Sequence, residues 1–374
     1  MQTNIRRKPG PVTTHEGAPA GHINPKDALR RSVMSCLLWE DTFYESGEEI
    51  GERIGRLVRE VPAEFARDLA IEAREVMHLR HVPLWIAVNL APRGAEAKLS
   101  ALLERIIKRA DEPGEFLSLY WRDKRKPISA QIKRGLAAAL RKFDAYQLGK
   151  YAHQGAIRPR DVLFLTHAKP EGEAQAALWK QLAEDSIPAP GTWEVALSAG
   201  KDKRETWTRL VSEGKLGALA MIRNLRNMER DKVEPGIIRA GLAALKPRGI
   251  LPWQFVTAAR YAPAYEPELE AAMLRALAEE PKLPGETVLL VDVSGSMNDP
   301  LSDKGEAKRV DAAAGLAILA REIVPECRVY TFSDRCVEVP GRRGFALRDA
   351  VKNSQEHAST YLGRAVSYVR ERHP

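Results

Sequence analysis

The sequence predicts a mainly α-helical protein, built as an array of stacked helix pairs, that ends in an incomplete α/β domain. Two observations support this fold class. Between about residues 25 and 280, apolar residues recur at helical spacing and are punctuated by proline and glycine. Beyond them, a short β-branched run ends in an Asp-x-Ser-x-Ser loop. At 374 residues the chain is long enough for two or three domains.

The N-terminal residues 1–24 are rich in proline, glycine and threonine, which predicts an arm that lies on a surface or is disordered. No stretch resembles a secretory signal, and no apolar run approaches the roughly 18 residues of a membrane span. The three cysteines are too few for a disulfide framework or a zinc cluster. Cys327 and Cys336 could face each other across a hairpin, but buried free thiols are the favoured interpretation. We therefore expect a cytoplasmic protein that binds no membrane.

The helical part is predicted to span residues 25–282. Prolines stand at several helix starts, as at Pro25 and Pro235, where the missing N–H costs nothing. One apolar stripe consists of Leu99, Leu102, Leu103, Ile106 and Ile107. Many helices of similar length with short loops predict an α-solenoid. No strict sequence repeat is visible, so we expect a degenerate, HEAT-like period; an irregular helical domain is the alternative.

From residue 285 onward the pattern predicts strands that alternate with helices, as in a mostly parallel α/β sheet. We expect strands at 287–293, 328–332 and 337–339, and helices at 308–323 and from 362 onward. Three strands and two helices would leave the central strand with an unpaired edge. We therefore expect either a fragment of a longer protein or a second chain that covers this edge, and we favour the fragment.

The loop after the first predicted strand of this sheet carries hard oxygen ligands. Asp292, Ser294 and Ser296 alternate along the loop, so their side chains can point to one side. Ligands bind at the carboxyl ends of strands in open α/β sheets, and a carboxylate with hydroxyls suits Mg²⁺. The alternative role for the serines is N-capping of the segment that follows.

The net charge of +8 is distributed unevenly along the chain. From residue 285 to 374, basic and acidic residues balance at 13 each, so the whole excess lies in the first 284 residues. A basic part next to a neutral part indicates that the first contacts a polyanion, with solubility alone as the alternative.

Two stretches concentrate the basic residues. Residues 122–142 contain a single acid, Asp123, beside Arg122, Lys124, Arg125, Lys126, Lys133, Arg134, Arg141 and Lys142. A helix predicted over 214–230 carries, away from its apolar stripe, Arg223, Asn227 and Arg230, flanked by Asn224 and Arg226. Arginine makes bidentate phosphate contacts and asparagine positions polar edges. We expect both stretches to contact RNA in a salt-dependent way; the alternative for each is a solvated helix face.

The Asp-x-Ser-x-Ser loop after a buried strand resembles the metal-ion-dependent adhesion site of the von Willebrand factor A domain. In that family a distant threonine joins the site, and Thr360, within Ser-Thr-Tyr-Leu-Gly, has the matching position. The family also supplies an aspartate after a later strand, which the chain does not reach. With one carboxylate left, we expect weak or no binding of a divalent cation.

Several stretches resemble the Ro ribonucleoprotein (TROVE-domain) family. They begin at Thr14, Leu29, Leu38, Leu219 and Leu251 and have the sequences THEGAPA, LRRSVM, LWEDTFYESG, LAMIRNLRNM and LPWQFVTAARYA. The resemblance implies an arm over 1–24, a TROVE ring of helical repeats over 25–282, and a von Willebrand factor A-like domain over 285–374 that is truncated at its C-terminus.

The same resemblance implies two kinds of RNA ligand. Single-stranded ends of structured or misfolded RNA would thread the basic hole of the ring, and a small noncoding Y-like RNA would bind its outer surface. In the family, a lysine and a later histidine help to hold the outer RNA, and Lys150 and His167 match them. Lys169, at the end of the same segment, is also expected to contact RNA. A further basic position of the family is Gln154 here, so one phosphate contact is expected to be lost unless His153 substitutes for it.

We therefore expect a non-enzymatic, monomeric RNA-binding protein that serves RNA quality control, with an exoribonuclease as a candidate protein partner. The sequence contains no phosphate-binding loop, zinc-protease motif or nucleophile elbow, which argues against the alternative of an enzyme. A second alternative is a protein-binding scaffold that uses the solenoid and the adhesion site. The uneven charge favours RNA over this scaffold.

Overall fold

The computed structural model describes residues 21–36, 45–188, 202–301 and 307–373, the backbone of 12–13 and 19–20, and single positions at 190, 191, 193 and 197. The chain divides into two compact units, Met1–Pro190 and Gly191–Pro374. Each unit has its own hydrophobic core. The motifs that begin at Thr14 and Leu38 lie largely outside the described residues.

The first unit consists of α-helices and one pair of two-residue strands. Strand β1 (Val12–Thr13) pairs antiparallel with β2 (Pro19–Ala20). The helices are α1 Pro25–Ser35, α2 Gly47–Glu60, α3 Ala63–Glu75, α4 His81–Leu90, α5 Leu99–Ile106, α6 Glu112–Tyr120, α7 Ala130–Arg141, α8 Ala145–Tyr151, α9 Pro159–Thr166 and α10 Glu173–Ala183. Helices close in sequence pack against one another, among them α3 with α4, α5 with α7, and α7 with α9. The predicted arrangement of stacked helices is therefore present in this unit.

Local sequence signals explain where these helices begin. The Ser46 hydroxyl accepts a hydrogen bond from the Glu49 N–H, and the Glu49 carboxylate accepts one from the Ser46 N–H, so together they form a capping box for α2. Asn24 and Ser129 cap α1 and α7 in the simpler one-bond form. The predicted apolar stripe around Leu103 is fully buried and forms part of the core.

The second unit contains helices and a three-stranded sheet. Its helices are α11 Lys203–Ser212, α12 Ala218–Arg223, α13 Leu225–Arg230, α14 Pro235–Ala243, α15 Pro252–Tyr261, α16 Glu266–Ala278, α17 Arg309–Ile323, α18 Gly344–Lys352 and α19 Leu362–Arg372. Its strands are β3 Glu286–Asp292, β4 Glu326–Phe332 and β5 Cys336–Glu338. The fold class predicted from the sequence, mainly α followed by α/β, is confirmed.

The sheet has the order β3-β4-β5. Strands β3 and β4 are parallel, with Asp292 beside Phe332, whereas β4 and β5 form an antiparallel hairpin. Among the described strands, β4 is paired on both sides and β3 has one unpaired edge. Helix α18, which buries Phe345, Leu347 and Val351, was not predicted from the sequence. Only Leu347 and Val351 stand at helical i, i+4 spacing, so the pattern was too short to indicate a helix.

Helices that precede the sheet share its core. Helix α15 packs on α17, and a Cβ added at Gly315 of α17 would lie 2.7 Å from the Trp253 nitrogen. Glycine therefore permits the close approach of the two backbones. The division between the units at residue 190 falls within the stretch predicted as one helical domain, because these later helices pack with the sheet.

The helix predicted over 214–230 is shorter and interrupted. It begins at Ala218, after Gly214 with φ +62° and after Gly217 as N-cap. At Asn224 the backbone leaves helical geometry, with φ −105° and ψ 8°, and α13 follows directly. Glycines at 214 and 217 explain the later start, since glycine favours turns and helix ends over helix interiors.

The three cysteines are free thiols. In the β4–β5 hairpin the residue opposite Cys336 is Phe332, so Cys327 does not face Cys336. Within the described ranges, the model contains no helix with both the length and the apolar character needed to cross a membrane.

Candidate nucleic-acid interface

A groove in the first unit combines basic and aromatic side chains from the loop after α6, from α7 and from the end of α9. It consists of two adjoining depressions with volumes of about 660 and 470 Å³. Its basic lining residues are Arg125, Lys126, Lys133 and His167, and its aromatic ones are Trp121 and Phe164. We call it the 121–167 groove.

The loop that forms one wall is folded back on α6 by hydrogen bonds. The Trp121 Nε1–H donates to the Lys126 carbonyl at 2.7 Å, and the Tyr120 hydroxyl donates to the Pro127 carbonyl at 3.0 Å. The Arg125 guanidinium lies 4.9 Å from the centre of the Trp121 ring, and the Lys126 ammonium lies 4.2 Å from that of Tyr120. These contacts hold two cations on aromatic faces at the groove.

Helix α7 supplies the second wall. Its N-cap Ser129 accepts a hydrogen bond from the Ile132 N–H. A Cβ added at Gly135 would lie 2.8 Å from the Ser100 carbonyl oxygen, so glycine allows α7 to lie close against α5. Lys133 is half-buried in the groove and the neighbouring Arg134 is exposed. The helix therefore buries one face and presents its cations on another.

Helix α9 completes the groove. It begins where the Asp161 carboxylate accepts a hydrogen bond from the Arg158 N–H at 2.8 Å. It ends at His167, which has the left-handed φ of +53° and is exposed at the groove. Phe164 is 54% exposed, and the Arg160 guanidinium lies 5.8 Å from the centre of its ring. The helix therefore presents a large apolar ring to solvent beside a row of cations.

The predicted basic residues of this region differ in their partners. In the part of the chain that the structure describes, no ion pair joins Lys133, Arg134 or Lys169 to a carboxylate. Arg141, by contrast, lies 3.3 Å from the Glu171 carboxylate and also donates to the Lys169 carbonyl. The first three side chains are therefore available to an anionic ligand, whereas Arg141 already has an anionic neighbour.

Lys142 has a structural role. Its ammonium donates to the carbonyl of Glu104 and, at 2.5 Å, to that of Ile107. It therefore satisfies carbonyl groups at the C-terminal end of α5, where a cation is also favoured by the helix dipole. Burial lowers the pKa of this amine. Of the predicted RNA-binding residues, Lys142 is the one most fully engaged in the fold.

The family-derived position Lys150 does not line the 121–167 groove. It lies half-buried near the end of α8, where its ammonium is 5.7 Å from the centre of the Tyr151 ring. Gln154 donates to the Lys150 carbonyl, and His153 Nδ1 lies 3.5 Å from the Asp185 carboxylate. The structure thus brings Lys133 and His167 together and places Lys150 elsewhere on the unit.

The predicted arginines of the second unit are exposed on α12 and α13. Arg223 has no carboxylate partner among the described residues, whereas Arg230 lies 3.2 Å from Asp231. The Arg226 guanidinium lies 5.3 Å from the centre of the Tyr261 ring. The Asn227 amide donates to Asn224 Oδ1, so both asparagines are used within the helix pair. Arg223 is therefore the side chain here that is best suited to an added phosphate.

The Asp-x-Ser-x-Ser loop follows β3 as predicted. Asp292 Oδ1 accepts a hydrogen bond from the Ser294 N–H at 2.8 Å. Ser294 is 1% exposed, and its Oγ has no hydrogen-bond partner among the described residues. An unpartnered buried hydroxyl is costly unless a ligand completes its coordination, which fits a metal-ligand role. Ser296 is half-buried in the turn that follows.

The loop that carries Thr360 lies next to this one. The Gly295 N–H donates to the Ala358 carbonyl, while Thr360 itself is exposed. The Ser333 hydroxyl accepts from the Ala358 N–H at 2.9 Å and donates to the Ser359 carbonyl at 2.8 Å. Ser333 was not among the site residues predicted from the sequence. Its position directly after β4, the parallel neighbour of β3, was the signal that places it at the same sheet edge.

The described residues contain no group of three or more histidine, cysteine, aspartate or glutamate side chains placed to hold a metal. A cation at the β3 loop would therefore depend on Asp292 together with hydroxyl groups. Oxygen ligands of this kind suit Mg²⁺ or a similar cation that retains water.

Comparison with known protein families matches residues 185–236 to the TROVE domain. Among solved structures, the chain is similar to the Ro (RSR) protein of Deinococcus radiodurans, with a TM-score of 0.62 and 17% identity. The likeness covers 93% of this chain and 84% of that chain. The family model therefore matches one segment of the chain, and the structural likeness shows a Ro-like fold. A search of curated proteins found no match.

These matches confirm the resemblance stated from sequence motifs. The TROVE segment includes the LAMIRNLRNM stretch at 219–228, which forms α12 and part of α13. The likeness in fold extends over nearly the whole chain and therefore over both the helical part and the α/β part. At 17% identity this likeness shows the fold alone, so the roles of the site residues are argued from the side chains of this chain.

Proposed function

We propose that this Ro-type protein binds RNA through its first unit. The observation that carries the proposal is the 121–167 groove, where Lys133 and the nearby Arg134 have no carboxylate partner among the described residues, beside the exposed ring of Phe164 and the half-buried ring of Trp121. Unpaired lysine and arginine side chains attract phosphates and release their counterions. Aromatic faces add contacts to bases. The TROVE match and the Ro-like fold support the same function.

Two RNA ligands are proposed. A single-stranded end of a structured or misfolded RNA would contact Lys133 and Arg134 at the 121–167 groove, and Arg223 and Arg230 would form a separate RNA-contacting surface on the second unit. A small noncoding Y-like RNA would contact Lys150, His167 and Lys169. Binding of both would serve RNA quality control.

Filter binding tests this proposal. A hairpin RNA with a single-stranded 3′ tail is compared with the same hairpin without a tail. The proposal expects tighter binding of the tailed RNA and a steep loss of affinity between about 50 and 200 mM salt. If neither RNA binds at low salt, the proposed function is refuted.

We also propose that the protein does not turn over the RNA that it binds. The described part of the chain offers scattered carboxylates and histidines, and the β3 loop supplies one carboxylate with hydroxyls. Labelled RNA incubated with the protein and Mg²⁺ should remain intact. Cleavage that requires Mg²⁺ and disappears in Asp292→Ala would overturn this proposal.

For the β3 loop, we propose weak binding of a hard divalent cation by Asp292, Ser294, Ser296 and Thr360. Support comes from the buried, unpartnered Ser294 hydroxyl and from the adjacent Thr360 loop. Mn²⁺ titration followed by electron paramagnetic resonance is expected to show weak binding that is lost in Asp292→Ala. Retention of the bound Mn²⁺ signal in Asp292→Ala would exclude these ligands.

We further propose that the protein works as a monomer in the cytoplasm, with an exoribonuclease as a candidate partner. Free thiols support a reducing compartment, and burial raises the pKa of Cys36 to about 11, so this thiol is unreactive. Light scattering of the purified protein tests the monomer, and binding of a purified 3′ exoribonuclease tests the partner. A dimeric mass or the lack of nuclease binding would refute the respective part.

A further inference from the structure

We propose that Trp121 and Phe164 form a stacking site for unpaired nucleobases within the 121–167 groove. This inference rests on the proposed RNA-binding function and names the part of the RNA that the groove recognises. The two rings come from different segments, the loop after α6 and helix α9. Each ring lines the two depressions of the groove. A strand that follows the groove would therefore meet two aromatic walls.

The exposure of the Phe164 ring is the first argument, whereas Trp121 is half-buried at the groove. Phe164 is 54% exposed, although other phenylalanines of the two cores, such as Phe116 and Phe255, are fully buried. Leu163 and Leu165, its neighbours in α9, pack against the core while Phe164 faces outward. Covering an exposed aromatic surface is favourable, and a nucleobase is flat enough to stack on it.

The surrounding charges argue that the occupant is a nucleotide and not an apolar peptide. Arg125 lies over Trp121, and Arg160 lies near the ring of Phe164, so each aromatic wall carries a guanidinium group. Lys133 and His167 add basic groups to the same lining. The one carboxylate of the lining, Asp161, is held at the start of α9 by the Arg158 N–H. Flat apolar walls with cations at their edges match a base joined to its phosphates.

A duplex does not fit this arrangement, because its bases are stacked on one another and present only their edges. Stacking on Trp121 or Phe164 requires a base that has left the helix. The groove therefore selects a single-stranded segment, and it tolerates different bases because every base has a π face.

The test uses a hairpin RNA whose single-stranded tail contains 2-aminopurine, and a second RNA in which tail bases are replaced by abasic units. Native protein should quench the 2-aminopurine fluorescence and bind the tail with bases more tightly than the abasic tail. Phe164→Ala should weaken binding of the tail with bases by roughly 5- to 150-fold, the usual range for one stacked base. Trp121→Ala should act in the same direction.

The conservative variants Phe164→Tyr and Trp121→Phe should retain most of the affinity, since each keeps an aromatic face. Tyr146→Ala is the matched control, because Tyr146 is 55% exposed in the same unit but does not line the groove. It should leave both the affinity and the quenching unchanged. Phe164 is exposed, so its replacement by alanine should leave the fold intact, and a loss of quenching in this variant cannot be ascribed to unfolding.

Two outcomes separate this inference from the proposed function. The stacking site is refuted if Phe164→Ala binds the tailed RNA as tightly as the native protein does, and if the native protein binds the abasic tail as tightly as the tail with bases. If the salt dependence is retained in these measurements, RNA binding itself stands. In that case the groove is left to a protein partner. If no RNA binds at any salt concentration, both the stacking site and the proposed function are refuted.

Discussion

Two clusters of basic residues in the first unit contain the same types of side chain but have different roles. In one, Arg74 lies 2.7 Å from the fully buried carboxylate of Glu112, and Arg80 lies 2.6 Å from Asp111. Glu112 also accepts hydrogen bonds from the N–H groups of Lys108 and Arg109. In the 121–167 groove, by contrast, the cations lie on aromatic rings or have no carboxylate partner in the described part of the chain.

The difference shows that the partners of a cation indicate its role better than its abundance in the sequence. Removal of one member of a buried pair leaves a charge without compensation and costs stability. Removal of a solvated cation costs the fold little but removes a contact to an anionic ligand. Substitutions in the buried cluster should therefore lower the stability of the fold, and substitutions in the groove should lower the affinity for RNA.

The largest effect is expected for Glu112→Ala. It leaves Arg74 and two backbone N–H groups without their acceptor in the core, so the free energy of unfolding should fall by about 3–5 kcal/mol. Urea denaturation measures this change. Glu60→Ala is the control, because the Arg56–Glu60 pair is exposed at 3.9 Å and should contribute at most about 1 kcal/mol. Equal losses in both variants would remove the distinction between the two clusters.

The next effect is expected for Gly135→Ala, which tests how the scaffold holds the groove. The new Cβ would lie 2.8 Å from the Ser100 oxygen and 2.9 Å from the Leu103 Cβ, so α7 must move away from α5. We expect a loss of about 1–3 kcal/mol in unfolding free energy by differential scanning calorimetry. Gly236→Ala, where no such close backbone contact exists, should be neutral or stabilising. A neutral Gly135→Ala would show that this helix contact is loose.

A smaller effect is expected for Lys133→Gln combined with Arg134→Gln, and this effect is on the affinity for RNA. RNA binding should weaken roughly tenfold at low salt, and the slope of log K against log salt should become shallower by about 1.4, since two phosphate contacts are lost. Fluorescence anisotropy with the tailed hairpin measures both. Lys180→Gln with Lys203→Gln, two exposed lysines outside the groove, should change neither quantity. A slope that stays the same in the groove variant contradicts phosphate binding there.

The smallest effect is the difference in RNA affinity between substitutions of Arg223 and of Arg230 in the second unit. Arg223→Gln should lower RNA affinity by about threefold, corresponding to one solvated phosphate contact. Arg230→Gln should have less effect, since Asp231 already neutralises Arg230 at 3.2 Å. The two are compared by the same anisotropy assay. If Arg230→Gln has the larger effect, ion pairing within the protein does not predict the contribution of an arginine to RNA binding.

Much of the fold could be predicted from the sequence, because apolar spacing and Pro or Gly punctuation mark the long helices and a β-branched run marks β3. Strand β3, for instance, begins and ends within one residue of its predicted bounds. The short helix α18 and the break at Asn224 could not, since each depends on tertiary packing of only a few side chains.

The candidate site was predicted less completely. Lys133 and His167 were named from charge and resemblance, and the structure places both in one groove. Phe164 was not named, because a phenylalanine in a helical pattern is expected in the core, and only the structure shows that it is exposed. The capping role of Lys142 also depends on the position of α5, which the sequence does not reveal.

Photo-crosslinking of the protein to a tailed RNA, followed by mass spectrometry of the crosslinked peptides, locates the RNA on the protein. We expect crosslinks to the loop at 121–128 and to the stretch at 159–169, which both line the groove. Crosslinks found only in the charge-neutral part, at 307–373, would contradict the assignment of RNA binding to the first unit.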